Sequence, residues 1–234
     1  MKGDRGIALI MVLLATAFLS ALGAGLILAV FMDRLATGNM SGSVAMFYAA
    51  DAGIELVARD LSQVVDWNSV LKGATQSSFT DGAPGGVRPI PGGGTVDLTA
   101  ATNMLNCGKA TNCTLAQMNA NSLQRPWGLN NPQWRLYAFG SIEQLAEFAD
   151  PLPCYLAVWI ADDNREHDDD PQADAEQDES GHGVVRIHAE AFGRLGSRRV
   201  IEAELARACR GGGVGACLPG IRVQSWQEVR QSVP

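Results

Sequence analysis

The feature that most constrains this chain is an uncharged apolar stretch near its start, residues 7–32 (IALIMVLLATAFLSALGAGLILAVFM). Roughly 20 consecutive apolar residues are enough to cross the hydrocarbon core of a bilayer as a helix. A secretory signal has a shorter apolar core of about 7–15 residues, followed by a small-residue cleavage site, and this run fits neither condition. We therefore expect residues 7–32 to form a transmembrane helix that the protein retains.

The charges beside this stretch predict its orientation. Lys2 and Arg5 precede it, and Asp33 and Arg34 follow it. Positive residues next to a span stay in the cytoplasm, so the rest of the chain is expected on the other side of the membrane. An uncleaved signal anchor is the plainest reading of this arrangement. The net charge of −7 argues against a nucleic-acid partner, because phosphate binding needs clustered Lys and Arg.

The residues after the apolar stretch favour a continuing helix with two unlike faces. Apolar residues recur there at steps of three and four, which is the helical period, while charged residues occupy another face. We expect residues 33–65 to be an amphipathic continuation of the same helix whose apolar stripe packs on a sheet. The stripe consists of Phe47, Ala50, Ile54, Val57, Leu61 and Val64.

The second half of the chain has the pattern of an antiparallel sheet. In the last two strands apolar and polar residues alternate, as in a hairpin with one buried face. The predicted fold class is α+β, with a long N-terminal helix packed on a C-terminal antiparallel β-sheet. Residues 66–133 are predicted to be a loop-rich insertion and residues 134–208 the sheet. The predicted strands are Trp134–Gly140, Cys154–Ala161, Val184–Phe192 and Arg199–Arg207.

The five cysteines suit an oxidising compartment. Cys107 and Cys113 are close in sequence, and so are Cys209 and Cys217 in the C-terminal segment 209–234. Two local disulfides are the expected arrangement outside the cytoplasm, with Cys154 left as a buried thiol. Other pairings stay open on sequence grounds.

An acidic segment, residues 162–183, separates the second and third predicted strands. Carboxylates, an amide and backbone carbonyls on a loop are hard oxygen ligands that suit Ca²⁺. The preferred ligands are Asp162, Asn164, Asp168 and Asp170, and the alternative is a solvated acidic loop without metal. His167 and His182 are weaker candidates for the ligands of a zinc site.

We find no catalytic constellation and therefore expect a protein that is not an enzyme. His188 and Glu190 alternate onto one side of a strand, where they are expected to form an ordinary surface pair. No nucleophile motif lies near them in the sequence.

Two segments carry a resemblance to a known family. The short polar leader MKGDRG, residues 1–6, ends in Gly and is followed at once by the apolar run, which resembles a type IV prepilin. The segment SVAMFYAADAGIELVARDL, residues 43–61, looks like the stretch that follows the membrane segment in minor pilins of the PilX type. K-type pseudopilins of type II secretion systems are similar. PWGLNNPQWRLYAFG, residues 126–140, adds a weaker likeness.

The resemblance implies a pilin fold and a processing event. A prepilin peptidase would cut between Gly6 and Ile7 and methylate the new N-terminus. Major pilins carry Glu at the fifth residue after the cut, where this chain has Met11. That departure fits the minor pilins which lack the carboxylate. A disulfide near the C-terminus is common in pilins, and Cys209–Cys217 resembles it. K-type pseudopilins also bind calcium.

The same resemblance implies partners and a place in the cell. Expected partners are other minor pilins, the major pilin, the prepilin peptidase and an inner-membrane assembly platform. The protein would sit in the inner membrane with a single pass and a periplasmic C-terminal domain. It would then enter a pilus or pseudopilus, at the tip.

Two other function classes remain open at this point. One is a membrane-anchored extracytoplasmic protein that binds calcium or acts as an adhesin, unrelated to pili. The other is an anchored periplasmic enzyme. Retention of the whole apolar helix after a cut behind Gly6 would separate the pilin reading from both.

Overall fold

The computed structural model describes residues 4–144, 153–166, 168–174, 182–208 and 220–229. The chain divides into two compact units, residues 1–42 and 43–234. The elements, in chain order, are helix α1 (Asp4–Leu61), helix α2 (Asn68–Leu71), strands β1 (Val87–Pro89) and β2 (Thr95–Asp97), helices α3 (Leu98–Cys107) and α4 (Leu115–Met118), and strands β3 (Arg135–Ser141), β4 (Tyr155–Asp162), β5 (Val184–Phe192), β6 (Arg198–Arg207) and β7 (Ile221–Glu228).

The part of α1 that belongs to the second unit packs one face on the sheet. Its buried residues follow the predicted stripe and are Met46, Ala49, Ala50, Ile54, Val57 and Leu61. Gly53 lies where the helix comes closest to β4, since a Cβ there would meet side-chain methyls of Leu156 and Val158 at 3.0 Å. Glycine at this position lets the helix backbone approach the sheet. Four residues of the predicted stripe, Ala50, Ile54, Val57 and Leu61, are thus buried on the sheet as expected, whereas Phe47 is only partly buried and Val64 lies beyond the end of the helix.

Helix α1 ends at Leu61, four residues before the predicted end at Val65. The indole Nε1 of Trp67 donates a hydrogen bond to the carbonyl of Leu61 at 3.3 Å. This bond satisfies one of the carbonyls that a helix C-terminus leaves open. The Trp67 side chain thus fixes the end of α1 at Leu61, whereas the periodicity alone predicts an end at Val65.

The five-stranded sheet has the order β3-β4-β5-β6-β7 and is antiparallel throughout. The second half of α1 covers one face, where the sheet contributes such residues as Leu156, Val158 and Ile187. The other face is also covered: Val96 and Leu98 from the insertion pack there with Trp134 and Trp159. The expectation of a single buried face is thus wrong, because the insertion supplies a third layer.

The insertion contains more regular structure than expected. Strand β2 stops at Asp97, whose side chain accepts hydrogen bonds from the amides of Thr99 and Ala100 and so caps α3. An Asp at this position favours a helix start, so the strand gives way to a helix after three residues. Thr114 caps α4 through a capping box.

The insertion is tied to the sheet by side-chain hydrogen bonds. The Asn106 side chain donates to the carbonyl of Trp134 at 2.9 Å and accepts from its amide at 2.7 Å. Trp159 Nε1 donates to the hydroxyl of Thr102 at 2.8 Å. These bonds hold α3 against the ends of β3 and β4.

Strand β7 lies in the segment 209–234, which was expected to form only a disulfide loop and tail. The strand, with the sequence IRVQSWQE, pairs with β6, and the register of this pairing shifts between Glu204 and Leu205. The shift interrupts the regular alternation of residues between the two faces of the sheet. The indole Nε1 of Trp226 donates to Asp51 at 3.0 Å, and its ring packs edge-on against Phe47. These two contacts with α1 fix the strand at the sheet edge.

The structure shows the state of three of the five cysteines. Cys107 and Cys113 form a disulfide, as predicted, and Cys154 is a buried free thiol. Burial, with a smaller contribution from the charge of Glu143, raises the pKa of the Cys154 thiol to about 11. Cys209 and Cys217 lie outside the described residues, so their pairing stays a prediction.

Candidate functional site

The N-terminal part of α1 presents apolar side chains on every side. The large ones between Ile7 and Met32 are between 49% and 72% exposed. α1 is also the one helix, among the described residues, that is long and apolar enough to cross a membrane. Exposed apolar surface costs roughly 25 cal/mol per Å² in water, so a segment of this size calls for lipid or protein around it. Residues 7–32 are therefore a candidate membrane anchor.

The predicted processing residues lie at the start of this helix. Gly6 and Ile7 both fall within α1, and the Ile7 side chain is exposed. Met11, one helical turn further on, is also exposed. The cut between Gly6 and Ile7 stays a prediction, since the fold alone does not test it.

The four predicted calcium ligands differ widely in environment. Asp162 ends β4 and is 2% exposed, Asn164 is half-buried, and Asp168 and Asp170 are exposed. The Asp168 carboxylate accepts from the amide of Asp170 at 3.0 Å. Within the described residues no group of three His, Cys, Asp or Glu side chains is placed to hold a metal ion. His167 and residues 175–181 of the acidic segment lie outside that part, so calcium binding stays a prediction.

The carboxyl of Asp162 has a strongly perturbed pKa in the metal-free protein. Burial, followed by repulsion from Glu166, raises the pKa of its carboxyl to about 10. The group is therefore protonated at neutral pH, and a protonated carboxyl is a weak ligand for a hard cation. A bound ion would have to displace this proton.

A buried charge network crosses β5 and β6 on the face that the insertion covers. His188 Nε2 lies 2.9 Å from Glu190 Oε1, and its Nδ1 lies 2.9 Å from Glu202 Oε1. Arg198 Nε donates to Glu190 at 2.9 Å, and the rings of Trp134 and Trp159 pack edge-on against the imidazole. His188 and Glu190 are 2% and 0% exposed. The expectation of a surface pair is wrong, because the insertion covers this face.

The protonation state of the network follows from its geometry. Both imidazole nitrogens face carboxylate oxygens, so both carry a proton. Burial alone lowers the pKa of His188, but the hydrogen bonds to Glu190 and Glu202 outweigh it and raise that pKa. Burial likewise opposes ionisation of the two carboxyls, and the hydrogen bonds from His188 hold the pKa of each below its usual value. The network is thus an imidazolium held between two carboxylates.

Nothing in the sequence order singled this network out. The signal lies in the strand register, which pairs His188 with Glu202 across β5 and β6. Both imidazole nitrogens and the carboxylate oxygens of Glu190 and Glu202 have partners, so the cluster is suited to fixing the two strands in register.

Comparisons of the chain with protein-family models, with curated proteins and with solved structures gave no match in any of the three. The function must therefore be argued from the chain itself.

Proposed function

We propose that this protein is a minor pilin or pseudopilin, a structural subunit that initiates or caps a type IV pilus or type II secretion pseudopilus. The observation that supports it best is helix α1. Its apolar start is exposed on all sides, and its second half, from Ser43, packs on a five-stranded antiparallel sheet. A helix of that kind suits storage in a bilayer and later burial among the helices of a filament.

The length of the apolar segment fits this double use. At about 1.5 Å rise per residue, residues 7–32 exceed the ~30 Å hydrocarbon core of a bilayer. The side chains that contact lipid can contact neighbouring helices in a filament, because both surroundings exclude water. A filament thus needs no second apolar surface on the sheet domain.

Met11 points to an end position in the stack. A dry filament core penalises an unpaired charge by several kcal/mol. In pilins the carboxylate at the fifth mature residue is thought to neutralise the N-terminal amine of a neighbour. A subunit with Met11 cannot do so, and it is least costly at one end, where no further amine has to be paired.

The deciding experiment is N-terminal sequencing of the protein from cells with and without the prepilin peptidase. We expect the mature chain to start at Ile7 only when the peptidase is present. Gly6→Val should block the cut, because the peptidase must fit a small residue there, while Gly3→Val is the matched control and should be processed normally. Normal processing of Gly6→Val, or an unprocessed wild-type chain in cells with the peptidase, would contradict the proposal and favour a membrane-anchored protein unrelated to pili.

A further inference from the structure

A cavity of about 570 Å³ lies between the insertion and strands β5 and β6. Its volume falls in the range of about 300–1,000 Å³ that is typical of small-molecule sites. The insertion contributes Arg125 and Trp127 to the lining, Trp134 lies just before β3, and the sheet contributes Arg186 and Glu202.

The insertion wall is held in place by side chains that bond to its backbone. The Arg125 guanidinium donates to the carbonyls of Leu105, Met118 and Pro132 at 2.9, 3.2 and 2.8 Å. The fully buried Asn131 side chain accepts from the amide of Trp127 and donates to the carbonyl of Met118. Rigid walls lower the cost of ordering a site on binding. The irregular part of the insertion that lines the cavity is thus held in place before a ligand binds.

The cavity carries an excess of positive charge in a chain whose net charge is −7. Burial, and then repulsion from Arg186, lowers the pKa of Arg125, which places the two cations within electrostatic reach of each other. Arg125 Nε is buried without a hydrogen-bond partner among the described residues. Arg186 Nη2 lies 3.4 Å from Glu202, longer than the usual 2.7–2.9 Å of a charged pair, and Glu202 is already bonded to His188. Arg186, whose guanidinium also lies 5.5 Å from the centre of the Trp134 ring, therefore retains capacity for an anion. Arg125 donates through both Nη atoms to backbone carbonyls, so it contributes positive charge to the cavity rather than an open donor.

The rest of the lining offers donors, an acceptor and aromatic rings. Gln117 and Gln124 carry amides, Glu202 accepts, and the half-exposed Trp127 brings an indole. Hydroxyl groups use donors and acceptors together, while the apolar face of a sugar ring packs on an aromatic side chain.

We propose that this cavity binds an acidic saccharide. The carboxylate of a uronate unit pairs with Arg186, the positive charge of Arg125 attracts it without a direct bond, and the sugar ring packs against Trp127. Arginine is suited to this role because its guanidinium can hold a carboxylate through two parallel bonds. The inference does not depend on the proposed pilus role, since it concerns the sheet domain alone.

The test uses the full chain in detergent micelles, with calorimetric titration and saturation-transfer NMR. Digalacturonate should bind saturably, its ring protons should receive saturation from the protein, and neutral galactobiose should bind about tenfold more weakly. Arg186→Gln should abolish that preference, whereas the exposed Arg59→Gln on α1 should not. Should Arg186→Gln fail to fold, Trp127→Ala is the second variant and should weaken both sugars.

Three results would overturn the inference. One is the absence of saturable binding of digalacturonate. Another is equal binding of the acidic and the neutral sugar, unaffected by Arg186→Gln. The third is binding of a triglutamate peptide as tightly as digalacturonate, which would assign the cavity to acidic peptides.

Discussion

His188 Nε2 and Glu190 Oε1 lie 2.9 Å apart inside the sheet, and both side chains are almost completely buried. A buried ion pair stabilises little compared with apolar residues, but removal of one partner leaves a charge without compensation. This pair, with Glu202 on the other imidazole nitrogen, therefore makes the strongest prediction about stability.

His188→Gln should lower the free energy of unfolding by about 3–5 kcal/mol near pH 5.5. The folded pKa of His188 is raised above 6.5, so its contribution is complete below pH 6.5 and is lost as pH rises through the folded value. The folded pKa values of Glu190 and Glu202 are lowered below 4.5, so the contribution of these two carboxylates to stability is lost as pH falls through the folded values. Denaturant unfolding at several pH values measures this.

The difference between wild type and His188→Gln should be largest between about pH 4.5 and 6.5 and should shrink at higher pH. His182→Gln, on a more exposed side chain, serves as control and should change stability little. A difference that grows steadily up to pH 9 would show that the imidazolium arrangement is incorrect.

Gly53→Val should destabilise the sheet domain by about 1–3 kcal/mol. The new side chain would meet Leu156 and Val158, whose methyls lie 3.0 Å from the Cβ position. Gly42→Val is the matched control, because a Cβ there meets nothing within 4 Å. Replacing glycine in an open helical position should instead leave stability equal or slightly higher. Thermal unfolding followed by circular dichroism compares the two, and equal effects would contradict the close approach.

Asp162→Asn should raise stability at neutral pH. The folded pKa of about 10 lies far above the ordinary 3.8, so stability present below about pH 4 is lost as pH rises toward the folded value. The amide stays neutral and avoids that loss, which amounts to roughly 4 kcal/mol at pH 7. The measurement is unfolding at pH 7 in EDTA and in excess calcium. Should the substitution destabilise the protein only with calcium, Asp162 would instead be a metal ligand, as the acidic segment predicts.

Alkylation without reduction should find at most one reactive thiol. Cys107 and Cys113 are bonded, and burial keeps Cys154 protonated and inaccessible, so we expect it to react only after denaturation. Mass spectrometry of native and denatured protein purified without reductant counts the labels. Three or more free thiols would exclude the scheme that also pairs Cys209 with Cys217.

On the proposed pilin role, this protein should be scarce in sheared filaments. Because Met11 lacks the carboxylate that would neutralise a neighbour's amine, repeated incorporation would leave one uncompensated charge per subunit. Quantitative mass spectrometry should therefore find far less of this protein than of the major subunit, with immunogold label gathered at one end. Comparable amounts, or label spread along the shaft, would contradict an end position.

Part of this structure could be read from the chain because local periodicity reports local burial. The apolar run of residues 7–32 is long enough to cross a bilayer as a helix, and the stripe of Ala50, Ile54 and Val57 has the helical period; the structure confirms helix in both segments. The alternation over 184–192 likewise predicts β5. These elements carry their own pattern, so no distant contact is needed to recognise them.

The tertiary structure alone decided that the second face of the sheet is buried. His188 and Glu190 have the sequence pattern of an exposed strand face and become core residues because the insertion packs over them. Strand β7 forms because Trp226 meets Asp51 and Phe47, far away in sequence. Periodicity shows which residues share a face of a helix or strand. Which layer covers that face depends on how distant segments pack, and the sequence pattern carries no information about that packing.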